Sequence, residues 1–161
     1  MRLIVACAPL MALVAASAAA QEADAPAKDA VTDAKIIDMC GGRLAKMFAQ
    51  YGTPVDLWAA RGNTPDKDEV ICNYHTYMFR VRGRVIQSCF FAPDWKGLIR
   101  GIKIGNSRED VVKVLGNPSM TFKDKAGVVT AYGYALKGRD ASFFTNFNKD
   151  GKVWRVEVSM K

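Results

Sequence analysis

Apolar residues recur at helical spacing in two stretches of the chain. In "CGGRLAKMFAQYGTPVDLW" (40–58) the stripe is Leu44, Met47, Phe48 and Tyr51. In "IGNSREDVVKVLGNPSMTF" (104–122) it is Val111, Val112, Val114 and Leu115. This period predicts an amphipathic helix in each. The second helix is well punctuated. Gly105 precedes it, and Ser107 is placed to accept a first-turn amide as N-cap. Asp110 closes a shortened capping box, and Glu109 adds charge at the positive end of the helix dipole. Gly116 suits the left-handed position after the helix, and Pro118 blocks its resumption. In the first stretch Gly42 and Arg43 stand where Asn106 and Ser107 stand in the second, so that helix should start more loosely.

Strand patterns follow each helix. "DEVICNYHTYMFRVRGRVIQSCFF" predicts a hairpin with a two-residue loop at Arg82-Gly83, pairing Phe79 with Ile86. Tyr77, Phe79 and Val81 would then share the core face with Ile86, Ser88 and Phe90, while Met78, Arg80, Arg82 and Gln87 point outward. A weaker strand covers Glu69–Tyr74. In the second half, strands are expected over Val128–Tyr134 and on both sides of a turn at Asn148–Gly151. There Trp154, Val156, Val158 and Met160 alternate with Arg155, Glu157 and Ser159, as in a sheet with one face on a core. Gly41, Gly52 and Pro54 fall on Gly105, Gly116 and Pro118 at one constant offset. This predicts an internal duplication. The expected fold is α+β: a tandem repeat of a helix plus a three-to-four-stranded antiparallel sheet, with a divergent first unit over 31–95 and a second over 96–161.

The first residues change the picture. "MRLIVACAPLMALVAASAAAQ" has an early arginine, an apolar run and small residues before Gln21, the anatomy of a cleaved signal peptide over 1–20. Residues 21–30 are a polar, alanine-rich leader expected to be flexible. The chain is therefore expected in the periplasm. Cys7 lies at the start of the apolar run rather than after it, which argues against a lipid anchor. The net charge of +7 falls by one unit with loss of Arg2, and a basic exported protein suits an acidic partner or anionic lipid. No nucleic-acid motif is present. Cys40, Cys72 and Cys89 remain after cleavage, enough for one disulfide and one free thiol. Both Cys40–Cys72 and Cys72–Cys89 are open.

"GIKIGNSREDVVKVLGNP" (101–118), followed by strands that end in "FNKDGKVWRVEV" (147–158), resembles the SmpA/OmlA family, the BamE-type components of outer-membrane protein assembly. The tandem arrangement resembles the β-lactamase-inhibitor-protein architecture. The resemblance implies a binding protein whose exposed sheet face docks a partner, without chemistry.

The residues offer little chemistry of their own. His75 is the only histidine. With Cys72 it has the look of a metal pair, but residues three apart on a strand face opposite sides. A third ligand would have to come from Asp66, Asp68 or Glu69. A Cys72 or Cys89 nucleophile lacks a residue to orient His75. Ser107 would need glycine where Glu109 stands to make a nucleophile elbow. No metal or cofactor is expected. The leading expectation is a non-enzymatic module that binds a protein of the cell envelope through exposed sheet faces and basic hairpin tips. Tyr74, Met78, Arg80, Arg82, Gln87, Phe91, Trp95 and Arg155 are the candidate contacts. A structural factor touching anionic lipid at the outer membrane is the alternative, and a Cys/His enzyme the third.

Overall fold

The computed structural model describes residues 32–161. The expected signal peptide and leader lie outside them.

The two helices form where the apolar stripes place them. The helix labelled α2 spans Leu44–Tyr51 and α3 spans Arg108–Leu115. Ser107 caps α3: its Oγ accepts from Asp110 N at 3.1 Å, and Asp110 Oδ2 accepts from Ser107 N at 2.9 Å. Gly116 follows at φ +81°. The predicted stripe on α3 is narrower than expected. Val111 is fully buried, Val112 and Leu115 are half-buried, and Val114 is exposed. Arg43 provides no side-chain cap to α2. The sheet supports that end instead, with Leu44 N donating to Arg84 O at 2.9 Å. A further short helix, α1 (Asp33–Asp38), begins after Thr32.

The strands are β1 (Asp56–Ala60), β2 (Glu69–Asn73), β3 (Tyr77–Arg82), β4 (Val85–Phe91), β5 (Met120–Lys123), β6 (Val129–Ala135), β7 (Ala141–Phe147) and β8 (Val153–Met160). They make one antiparallel sheet in the order β1-β2-β3-β4-β8-β7-β6-β5. This corrects the expected tandem of helix-plus-sheet units. β4 pairs directly with β8, from Ser88↔Ser159 to Phe91↔Val156. The backbone donors and acceptors on those two strand edges satisfy each other, so the sheet is continuous through the middle of the molecule.

A single core follows from that continuity. Ile36, Met47 and Val111 from the helices pack with Phe79, Ile86, Phe91, Phe143, Val156 and Val158 from the strands. α1 adds a tie between the early and late parts of the chain. Asp33 Oδ2 accepts from Arg100 N at 2.9 Å, and Asp38 pairs with Arg139. The three α-helices all contribute buried side chains to this one core, and a short 3-10 helix (Pro65–Lys67) between β1 and β2 contributes none.

Two bulges set which side chains face which way. The β3–β4 turn is Gly83-Arg84, with φ +55° and +69°, one residue later than expected. Positive φ at both positions matches the twist of a two-residue hairpin. The register shifts between Arg80 and Val81, so Phe79 pairs with Cys89 rather than Ile86. Beyond this shift the parity of β4 reverses. Cys89 and Phe91 enter the core, while Ser88 and Phe90 turn to the open face. A second shift, between Asn146 and Phe147, leaves Trp154 without a register partner on β7. Val153 takes the core place expected for Trp154, which is 40% exposed.

Candidate docking face of the sheet

The open face is built by the residues that alternate with the core set. Across the centre, Met78, Phe90, Glu157, Phe144 and Gly133 form one row by register. Arg80, Ser88, Ser159, Ser142 and Ala135 form the next. Asn146 lies opposite Arg155 beyond the first row.

Phe90 is the middle of this surface. The Arg80 guanidinium lies 4.9 Å from its ring centroid and that of Arg155 5.4 Å. Arg155 also lies 4.9 Å from the Trp154 ring. Cations over aromatic faces are attracted by the ring quadrupole. Here they also close over the ring, and Phe90 is only 4% exposed.

Two carboxylates hold these cations. Glu69 meets Arg80 Nε at 3.1 Å and also pairs with Arg82. Glu157 Oε2 lies 4.0 Å from Arg155 Nη2, a looser contact. Burial pushes the Glu157 carboxyl above its usual range, and Arg155 and Arg80 offset only part of that. The Nε atoms of Arg80 and Arg155 and the Asn146 amide nitrogen have no hydrogen-bond partner in the protein. Arg80 Nε has the Glu69 charge nearby without the geometry of a bond. These nitrogens, and the Ser88 hydroxyl beside them, are buried beneath the surface of the face.

The structure divides the eight candidate contacts. Met78, Arg80, Arg82 and Arg155 lie on this face. Gln87 is the half-buried extra residue of the β4 bulge, and its carbonyl accepts from Cys40 Sγ at 3.5 Å. Tyr74, Phe91 and Trp95 lie on the helix side, which corrects their placement as outward aromatics. Tyr74 stacks on Tyr77 at 5.1 Å and donates to Gly52 O at 2.8 Å. Phe91 is fully buried, 4.9 Å edge-on from Trp95. Burial raises the phenol pKa of Tyr51, Tyr74 and Tyr77, that of Tyr77 to about 12. These rings act as core. In their place the face presents Trp154, with Phe90 beneath the two arginines, and Phe122 packs on Phe144 toward the β5 edge. The doublets Phe90-Phe91 and Phe143-Phe144 are the sequence signals that an aromatic must face each way.

The remaining candidates for chemistry are separated. His75 sits exposed in the β2–β3 turn at φ +69°, its amide donating to Asn73 Oδ1 at 3.0 Å. Cys72 and Cys89 are fully buried. Among the described residues, no group of three or more His, Cys, Asp or Glu could hold a metal ion. No described helix is long and apolar enough to cross a membrane. Among the described residues, Cys40, Cys72 and Cys89 are all free. Cys72 and Cys89 both pair with Phe79, from opposite sides of β3. Two strand spacings, about 9–10 Å, separate them, beyond the Cα reach of a disulfide. The Cys40 thiol lies at the β4–β8 seam, far from β2, which also removes Cys40–Cys72.

Comparison with known proteins supports this architecture and overturns the family resemblance. No family model matches the chain, and no curated protein matches it. Among solved structures, it is similar to an extracellular protein containing an SCP domain from Bacillus anthracis str. Ames. The TM-score is 0.59 at 15% identity, covering 84% of this chain and 47% of that one. A DUF4309 family protein from Bacillus subtilis subsp. subtilis str. 168 gives a TM-score of 0.51 at 17% identity, with 74% and 78% covered. A cysteine-rich secretory protein from Staphylococcus aureus subsp. aureus Mu50 gives 0.50 at 14% identity, with 77% and 44% covered. This chain spans about half the length of the first of these. At such identities the likeness is one of fold. None of these neighbours is an SmpA/OmlA or BamE-type protein, so that resemblance is withdrawn. With it go the BamE-like and inhibitor-like fold. The signal peptide, periplasm and tandem repeat gain no support from these neighbours.

Proposed function

We propose that the chain is an exported, non-enzymatic binding module. The open face of its sheet docks an acidic segment of a partner protein. The observation that carries the reading is the pair of half-exposed arginines, Arg80 and Arg155, whose guanidinium groups lie over the Phe90 ring at the centre of this face. An arginine fork receives a carboxylate through two parallel hydrogen bonds. Aromatic and arginine side chains are the usual energetic anchors of interfaces. Met78 and Trp154 flank the site and would exclude water from the ion pairs, which strengthens them. The net charge of +7 and the cations at the hairpin tips, among them Arg82, Lys149 and Lys152, would steer an acidic partner toward the face. Export is supported by the pattern of residues 1–20 and by the likeness in fold to an extracellular protein and a secretory protein.

The test places a photo-crosslinking residue at position 78 and compares the parent with the doubly reversed Arg80→Glu/Arg155→Glu variant. A crosslinked protein is expected that weakens with salt and is lost on reversal, each reversal weakening binding by about 2 kcal/mol or more if these are anchor residues. Circular dichroism should show the sheet retained. Crosslinking indifferent to charge reversal would overturn the reading. So would binding only to anionic vesicles with no protein crosslink, which would favour a lipid-contact role.

A further inference from the structure

We infer that Cys40 and Cys89 form a thiol–disulfide exchange site, in which Cys40 attacks an external disulfide and Cys89 resolves the adduct into an internal Cys40–Cys89 bond. The chain path brings the two together. After α1, Gly41 N donates to Ile86 O at 2.8 Å and Ile86 N donates to Gly42 O at 2.9 Å. These bonds lay residues 40–42 across β4. The Cys40 thiol comes to rest over the β4–β8 seam, 3.5 Å from Gln87 O and 3.6 Å from Val158 O. Val158 is the register partner of Cys89. The Cys89 side chain is buried on the same, core-side face, directly across the seam from Val158.

The two sulfurs differ in the way exchange requires. Cys40 is partly exposed and Cys89 is fully buried. The hydrogen bond from Cys89 lowers the Cys40 thiol's pKa, with smaller help from Arg139. The same bond and burial push Cys89 upward. A thiolate is the attacking species, so the accessible sulfur is the one more readily ionised. The Cys40 thiolate attacks one sulfur of a small-molecule disulfide, forming a mixed disulfide and expelling one thiolate. Cys89 then gives up its proton and displaces the second thiolate from Cys40. Two protein thiols are oxidised, the external disulfide is reduced to two thiols, and the released protons end on them. Cys72 stays outside this chemistry because β3 stands between it and Cys89. The inference does not depend on the docking face. Only its occurrence in a cell rests on export to an oxidising compartment.

The experiment treats the folded chain with oxidised glutathione, alkylates free thiols and maps the peptides without reduction. A Cys40–Cys89 cross-link with Cys72 alkylated after unfolding is the expected result, reversed by a dithiol reductant. The Cys89→Ser variant should hold one glutathione on Cys40, and Cys40→Ser should take up none while folded. A link involving Cys72, stable adducts without an internal bond in the parent, or no reaction would each overturn the inference. Should Cys89→Ser not fold, the parent's peptide map decides alone.

Discussion

Phe90 and Phe91 are adjacent in sequence and almost equally enclosed, yet truncating each should have very different consequences. Phe91 is fully buried in the core and meets Trp95 edge-on. Phe91→Ala leaves a cavity among packed strands and helices, and such changes cost about 3–5 kcal/mol. Phe90 is covered by two arginine side chains. Those can settle into the space its ring vacates. Phe90→Ala then forfeits two exposed cation–π contacts, about 0.5–1 kcal/mol each, and a part of the ring's burial. The assay is urea unfolding, with midpoints read by fluorescence and circular dichroism. At a slope of about 2 kcal/mol per molar, Phe91→Ala should lower the midpoint by roughly 1.5–2.5 M, and Phe90→Ala by roughly 1 M. Both slopes should match the parent's. An equal or larger shift for Phe90→Ala would show that the parity of β4 beyond the bulge is wrong, and the docking face would fall with it.

Other outcomes can be checked in the same way. Ser107→Ala removes the cap of α3 and should cost about 1 kcal/mol, read as a lower urea midpoint. Glu157→Gln should make the protein more stable near neutral pH. Burial raises the folded pKa of this acid, so its ionised form costs stability. That cost is absent below the unfolded value and grows as pH rises from there through the folded value. The variant's midpoint should therefore lose this fall with pH, and an unchanged pH profile would contradict the burial of Glu157.

Much of the local structure was legible in the chain. α2 and α3 stop at Gly52 and Gly116 because glycine accepts the positive φ required there. Ser107 and Asp110 complete a capping box that involves four consecutive residues. The Asn148–Gly151 turn closes on the Asn148 side chain, whose Oδ1 accepts from Asp150 N and Lys152 N. Each of these features is decided by bonds within a few residues, so residue type at a fixed spacing is enough to predict it. The docking face was only half legible. Met78, Arg80, Arg82 and Arg155 follow from simple alternation, whereas Phe90 and Trp154 appear only once the bulges are known.

Long-range contacts decided the rest. Any strand edge offers the same donors and acceptors, so nothing in β4 or β8 announces that they pair and join the strands into one sheet. A bulge depends on the partner strand's register, and one extra residue moved Phe91 inward and Phe90 outward. Cys40 and Cys89 are distant in sequence and meet because residues 40–42 bond to β4 at Ile86. The sequence by itself determined α2, α3 and the Asn148–Gly151 turn, because those follow from local hydrogen bonding and side-chain period. Only the tertiary structure decided the single core, the face that Phe90 occupies and the partner of each thiol, because those depend on which strand edges meet.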